Sequence, residues 1–461
     1  MVPAKSPSTT HSIDRKQSQT DTPPPGSVGY PVLTNPSFAG ACADLTISGV
    51  PTSKLAPAGE VQLPKVSFIV RNWNYARYIG VTIDSIRAQD YPNFEAIVID
   101  NASSDDSRDI IERHVDDDPR FLIIHSEVNL GPLGGGLLGL EHATGDFVAF
   151  IDSDDTLLSN FASAHIQVHL ASRRNVAFTS SSAMETGPNG AMLNGRRTRS
   201  DTRCDETTDG LRPAEVVPRL RSIDNDTYAV LARHTRLLQP VSMKWPWSPG
   251  TSNVYRRFML DMLTPNCDPS DLPKLATDGH YNRLAHLLGG SAVIDLPLST
   301  YRIHGDNFAA STPSLASMGG DAGPATKFHM LRVREMVRVF VANAPDFSIQ
   351  IGQKRYWNAL GALFELGGLK SAADRVAWNR DDFFSSQIQH LTVSFGERKT
   401  LRRLSEIVPS DLLREGVSSL HGANFPRRIR QELMLSSARR LHARIKSAIR
   451  KSRHRRSAGS Y

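Results

Sequence analysis

The sequence predicts an α/β protein built around a parallel sheet, and three observations carry that prediction. Short apolar runs that suit strands buried on both faces recur at Val66-Ser67-Phe68-Ile69-Val70, Ala96-Ile97-Val98-Ile99, Phe121-Leu122-Ile123-Ile124 and Phe147-Val148-Ala149-Phe150-Ile151. Helical patterns separate them, so strand and helix alternate four times in about 90 residues, the signature of βαβ units. The last run is followed at once by Asp152-Ser153-Asp154-Asp155. Three carboxylates so close repel one another in a packed interior, so they belong at a strand end facing solvent or a cation.

The first strand passes into a polar, aromatic loop, Arg71-Asn72-Trp73-Asn74-Tyr75, and Ile79, Ile83 and Ile86 then mark one face of a helix. The second ends at Asp100-Asn101-Ala102-Ser103-Ser104-Asp105, where Ser104 is the expected helix N-cap, with Asp105 and Asp106 in the first turn. After the third strand, a Gly-rich segment from Gly131 to Gly139 leads into a helix. It is no Walker loop, since no Gly-Lys-Ser/Thr follows, and its glycines lack the G-x-G-x-x-G spacing. Right-handed crossovers bring the strand ends to one edge of the sheet. The Trp73, Asp100 and Asp152 loops are therefore expected to converge where open α/β sheets bind ligands. Asp116-Asp117-Asp118 and Asp224-Asn225-Asp226 are equally acidic but follow no strand-like run, so placement singles out Asp152 to Asp155.

At 461 residues the chain has room for a sizeable core and more than one domain. Residues 1–62, rich in Ser, Thr, Pro and Gly, read as disordered. An α/β domain is expected over 63–312, a helical extension over 325–426 and a basic tail over 427–461. No apolar run reaches 18 residues, so no transmembrane helix is indicated, and the N-terminus lacks a secretory pattern. Cys42, Cys204 and Cys267 show no metal-ligand spacing and are odd in number, which argues against a disulfide framework and for a reducing cytoplasm. Much of the net charge of +7 sits in the tail, where Met434, Ala438, Leu441, Ile445 and Ile449 form an apolar stripe among arginines. Two readings stay open: a helix lying on the anionic inner face of a membrane, or a terminal helix packed on its own domain. A nucleic-acid arm is disfavoured because the stripe carries no aromatics for base stacking.

The stretches VSFIVRNWNYARYIGVTIDSIRAQDYPNFEAIVIDNASSDDS and NLGPLGGGLLGLEHATGDFVAFIDSDD, followed by TDGHYNRLAHLLGG and YRIHGDN, resemble inverting glycosyltransferases of family 2. The resemblance covers roughly residues 64 to 310. It implies a GT-A fold: a mixed sheet flanked by helices, with a Rossmann-like nucleotide-binding half. It also implies the site. Arg71, Trp73 and Asn74 would line the nucleotide pocket, with Asp100 and Asn101 at base and ribose. Asp152, Ser153 and Asp154 form the D-x-D segment on the nucleotide sugar. Asp154, Asp152 and His304 are the implied ligands of a divalent cation, Mn²⁺ or Mg²⁺. Asp278 stands at the catalytic base, and Thr251, Ser252 and Asn253 on the acceptor side. The partners implied are a nucleoside-diphosphate sugar and a glycan or lipid-linked acceptor in cell-surface polysaccharide or glycolipid synthesis. Two departures stand out: Arg71-Asn72-Trp73-Asn74 replaces the family's Pro-Thr-Tyr-Asn, and a commonly basic position falls on Gly136.

The chemistry explains these residue types. A diphosphate leaving group develops charge that a hard cation on oxygen ligands can take up. An acceptor hydroxyl attacks the anomeric carbon while a carboxylate removes its proton, and one displacement inverts the configuration. Each candidate also has a plainer reading: Asp152 and Asp154 as turn residues before a helix near Thr156, Asp278 as a helix N-terminal acid, Trp73 as a core aromatic. Two other functions remain. A nucleotidyltransferase would want glycines beside Arg71, which are missing. The other is a GT-A-like scaffold without turnover.

Overall fold

A computed structural model describes residues 46–47, 50–51, 62–197, 206–207, 210–240, 245–248, 250–305, 307, 328–369 and 371–421. Most of the N-terminal segment expected to be disordered, and the whole basic tail with its apolar stripe, lie outside the described residues. Within the former, Thr46–Ile47 and Val50–Pro51 pair as two short antiparallel strands.

The βαβ pattern is realised. Strand β1 (Val66–Asn72), helix α1 (Ala76–Arg87), β2 (Phe94–Asn101), α2 (Ser107–Val115), β3 (Phe121–Ser126), α3 (Gly131–His142) and β4 (Phe147–Asp152) follow one another. Next come α4 (Phe161–Ala171), β5 (Phe178–Thr186), β6 (Met192–Arg197), β7 (Glu206–Thr207), α5 (Asn225–His234), β8 (Thr235–Leu238) and β9 (Asn253–Arg256). Then α6 (Arg257–Met262), α7 (Thr277–Gly289) and β10 (Ser291–Arg302) complete the sheet region. The order across the sheet is β3-β2-β1-β4-β9-β5-β10-β8-β7, with β6 added on β5. Strands β3, β2, β1 and β4 are mutually parallel, whereas β9 runs antiparallel to both β4 and β5, so the sheet is mixed.

The unbroken apolar runs have a simple cause. On β1, Val66, Phe68 and Val70 face the layer of α1, α2 and α4, while Ile69 faces the opposite layer; β4 divides the same way, Phe147, Ala149 and Ile151 against Val148 and Phe150. Both faces are buried, so both phases of the period-two pattern must be apolar. The second layer holds α3, α7 and a helical region: α8 (His329–Ala342), α9 (Ala344–Gln350), α10 (Gln353–Leu366), α11 (Ala372–Asn379), α12 (Phe383–Phe395), α13 (Glu397–Ile407) and α14 (Ser410–His421). One apolar cluster runs from Ile69 and Phe150 through Tyr281 to Phe340, Trp378 and Leu413. Among the described residues no helix is long and apolar enough to cross a membrane.

Three local expectations need correction. Helix α2 begins at Ser107, not after Ser104, because Asn74 Oδ1 already accepts the Ser104 N–H at 2.7 Å and Asp105 accepts from the Ser107 N–H at 3.1 Å. The glycines do not lead into a helix; they are the helix, since α3 spans Gly131–His142 and lies close on β1. No helix starts near Thr156 behind the acidic loop, as α4 begins only at Phe161.

Gly131 shows why glycine is needed at the head of α3. Its φ is +70°, and a Cβ there would lie 2.3 Å from Pro273 Cα and 2.8 Å from Pro273 O. Backbone cannot retreat as a side chain can, so Gly131→Ala should cost at least about 2 kcal/mol, the combined effect of left-handed strain and steric overlap. Thermal unfolding checks this; an unchanged midpoint would show that the turn relaxes freely.

Candidate active site

The sheet register brings the predicted loops together. Arg71 on β1 pairs with Asp152 on β4, and Asn72 pairs with Asp100 on β2, so three strand ends open on one cleft. Across it lies the first turn of α7, carrying Thr277 and Asp278. Gly250 sits between the two walls: a Cβ there would be 3.6 Å from an Asp152 carboxylate oxygen, 3.8 Å from the Arg71 guanidinium and 4.0 Å from Asp278 Cβ.

Arg71 stands at the cleft floor. Its guanidinium pairs with Asp152, donates to Thr277 Oγ1 at 2.6 Å and to Pro132 O at 3.3 Å. Burial pushes the Asp152 carboxyl up to about 6; Asp154 and Asp278 add to that, and Arg71 opposes it. The Asp152 side chain nevertheless keeps 42% of its surface open.

Asp154 is held differently. One carboxylate oxygen meets His304 Nε2 at 2.9 Å and accepts from Asn307 Nδ2 at 3.4 Å. The His304 ring is set between Tyr75 and Tyr78, with centroids at 5.4 and 5.2 Å. Asp154 and His304 are thus bonded to each other, and among the described residues no three His, Cys, Asp or Glu side chains are grouped to hold a metal ion. Cation ligands from this chain would be the Asp152 and Asp154 oxygens, completed by oxygens from elsewhere.

Asp155 is the buried brace of the loop. It accepts from Thr251 Oγ1 at 2.6 Å and from the Arg302 N–H at 3.0 Å. Burial holds its carboxyl well above the usual carboxylate range, with Asp154 and Asp152 adding to the effect. Thr251 Oγ1 in turn accepts the Asp152 N–H at 3.1 Å, while Arg302 Nε donates to Asp154 O at 2.8 Å.

Residues 67–211 match the family model described as Glycosyl transferase family 2. The chain carries a family 2 glycosyltransferase domain. It is 28% identical over 253 residues to an uncharacterized glycosyltransferase of Nostoc sp., covering 55% of this chain and 69% of that protein. It is 38% identical over 106 residues to the GalNAc(5)-diNAcBac-PP-undecaprenol beta-1,3-glucosyltransferase of Campylobacter jejuni, but this spans 23% of the present chain and only 34% of that enzyme. Among solved structures, TarS residues 1–349 of S. aureus give a TM-score of 0.41 at 16% identity, over 82% of this chain and 92% of that one.

The remaining predicted residues fall into two groups. Trp73 is half exposed at the cleft rim, and Asn74, at φ +60°, ties β1's loop to Ser103 and Ser104. The others are buried. Asp100 is fully enclosed, with Arg108 Nε at 2.6 Å; Asn101 clasps the head of α3, accepting from the Leu130 N–H at 2.9 Å and donating to Gly131 O at 3.3 Å. Ser153 is buried in the acidic loop. Thr251, Ser252 and Asn253 lie beneath the loop, with Ser252 Oγ 2.6 Å from Ser299 Oγ and Asn253 Nδ2 donating to Gly250 O at 3.2 Å. They support the acidic loop from behind. Sequence reasoning singled out Asp155 within the acidic cluster but not its bracing part, and it missed Thr277, Gly250 and Arg302, which only the folded contacts bring forward.

Proposed function

We propose that the chain is a divalent-cation-dependent, inverting glycosyltransferase that moves a sugar from a nucleoside-diphosphate sugar to an acceptor hydroxyl in cell-surface polysaccharide or glycolipid synthesis. The supporting observation is the cleft around Gly250, where Asp152 and Asp278 face each other across one glycine. Hard oxygen donors on Asp152 and Asp154, with Asp152 crowded by other carboxylates, suit Mn²⁺ or Mg²⁺. When bound, such an ion takes up charge that develops on the leaving diphosphate.

Asp278 serves as the base. Its Oδ1 is oriented by the Gly279 N–H at 2.7 Å, leaving the second oxygen for a proton from the acceptor hydroxyl. The new C–O bond forms at the anomeric carbon as the bond to the diphosphate oxygen breaks on the opposite side, so the configuration inverts. Trp73 offers an exposed ring for the base at the rim. His304 and Asn307 hold Asp154 in place. A lipid-linked acceptor, as the Campylobacter relative's name states for that enzyme, would put the chain at a membrane surface, with the basic tail of residues 427–461 as the contact.

Calorimetric titration with UDP, dTDP and GDP, each with Mn²⁺ and with chelator, tests the donor site. One nucleotide should bind in a Mn²⁺-dependent way, and Asp154→Ala should weaken it by about 10–100-fold or more. Folded protein that binds none of the three would favour the scaffold reading.

A further inference from the structure

Arg71 is an unusual occupant of a strand buried on both faces. Its side chain is 6% exposed, yet its guanidinium reaches the cleft floor, where Asp152 is its anionic partner. The remaining bonds are to neutral oxygens, Thr277 Oγ1 and Pro132 O, and Nε is buried without a partner. A buried cation in this setting depends heavily on its one carboxylate.

Glycines surround the group. Cβ atoms at Gly250 and Gly135 would each lie 3.8 Å from Arg71, and one at Gly136 would lie 3.5 Å from the same Thr277 Oγ1 that Arg71 uses. Position 136 on α3 therefore faces the Phe150 ring, 3.3 Å from such a Cβ, as well as the Thr277 hydroxyl to which Arg71 donates.

Resting on the donor reading, we propose that Arg71 is an exchangeable counter-charge: it neutralises Asp152 in the donor-free chain and pairs with the donor's diphosphate once a cation occupies Asp152. The physical reason is charge balance. A divalent cation on Asp152 takes away Arg71's anionic partner, which is costly for a buried guanidinium unless another anion replaces it. The diphosphate is that anion, and the guanidinium suits phosphate oxygens. Cation and diphosphate are then bound as a unit, each paying for the other's disruption of the pair.

This sets Arg71 apart from a residue that merely lines the base pocket, because its removal has opposite effects on two ligands. Arg71→Ala should bind Mn²⁺ alone several-fold more tightly, since the competing charge is gone. The same variant should bind UDP with Mn²⁺ about ten- to a hundredfold more weakly, the loss of a charge-assisted contact. Uridine, which has no phosphate, should bind as in wild type. Titration calorimetry reads every arm, with the dTDP or GDP pair used instead if wild type prefers it. Equal weakening of nucleoside and nucleotide, or weaker Mn²⁺ binding, would overturn the role. If wild type itself binds no nucleotide with Mn²⁺, the donor reading falls; if it binds but ignores Arg71→Ala, only this inference falls.

Discussion

Asp278→Asn should lower the transfer rate by about 10²–10⁴-fold, the range by which a positioned base speeds proton transfer, and leave nucleotide binding almost intact. The amide matches the carboxylate in shape, and its oxygen still accepts the Gly279 N–H that now holds Asp278 Oδ1 at 2.7 Å, so the first turn of α7 keeps its geometry. What it loses is the ability to take a proton from the acceptor. Rate and donor affinity should therefore separate: kcat falls and the donor Kd stays. Full turnover in the variant would remove Asp278 from the base role. A loss confined to donor affinity would make it a binding residue instead.

Acid should unfold the protein between pH 6.5 and 4, because four histidines are buried in neutral form. His165 and His169 lie on α4, against Thr179 Oγ1 at 2.7 Å and Val254 O at 3.1 Å; His280 and His286 lie on α7, against Leu263 O at 2.8 Å and Ser291 Oγ at 3.0 Å. Burial pushes His165 down to about 3 and His280 and His286 to about 4, and drives His169 well below the usual range, with Arg256 adding to the last. The unfolded chain takes these protons near pH 6.5, the folded chain only far lower. Stability is thus fully present above pH 6.5 and falls as the pH drops, by up to about 1.4 kcal/mol per pH unit for each histidine. Asp152 and Asp155 work in the opposite direction, since with raised values the folded chain takes their protons first and gains stability on acidification. Asp90 and Glu335, raised by burial as well, act the same way, so part of the loss from the four histidines is offset. Thermal midpoints from pH 7.5 to 4.5 check this, and His165→Gln should flatten the curve. A flat profile in wild type would mean that these rings accept protons inside the fold.

Much of the fold was legible because burial on both faces writes itself into sequence as continuous apolar runs. The strands around Val66, Ala96, Phe121 and Phe147 were readable for that reason, and so was the convergence of their ends. The stretch from residue 156 to about 250 was not. Strand β5 reads Phe-Thr-Ser-Ser-Ser-Ala-Met-Glu-Thr, small and polar, yet it is almost wholly buried, with the Thr179 hydroxyl 2.7 Å from His165 Nδ1 and Ser180 Oγ accepting the Ser248 N–H at 3.2 Å. No periodicity announces such a strand. The helix α3 was obscured for a related reason: its glycines are poor helix formers, used because they let α3 approach β1, where Gly139 would press a Cβ 2.3 Å from Ile69 Cγ2. In the site, the carboxylates were visible from their place after a strand. The parts of Thr277, Gly250 and Arg302 were not, since they depend on contacts up to 206 positions apart in the chain.

The apolar cluster joining Ile69 to Leu413 has a consequence for how this chain can be divided. The match to the family model ends at residue 211, yet β9, β10 and the first turn of α7 lie beyond it, and without them β4 and β5 would be bare edges beside an unsupported acidic loop. The helices after residue 328 cover the apolar face of the same sheet. The segment that the family model spans and the segment that can stand alone in water are therefore of different lengths.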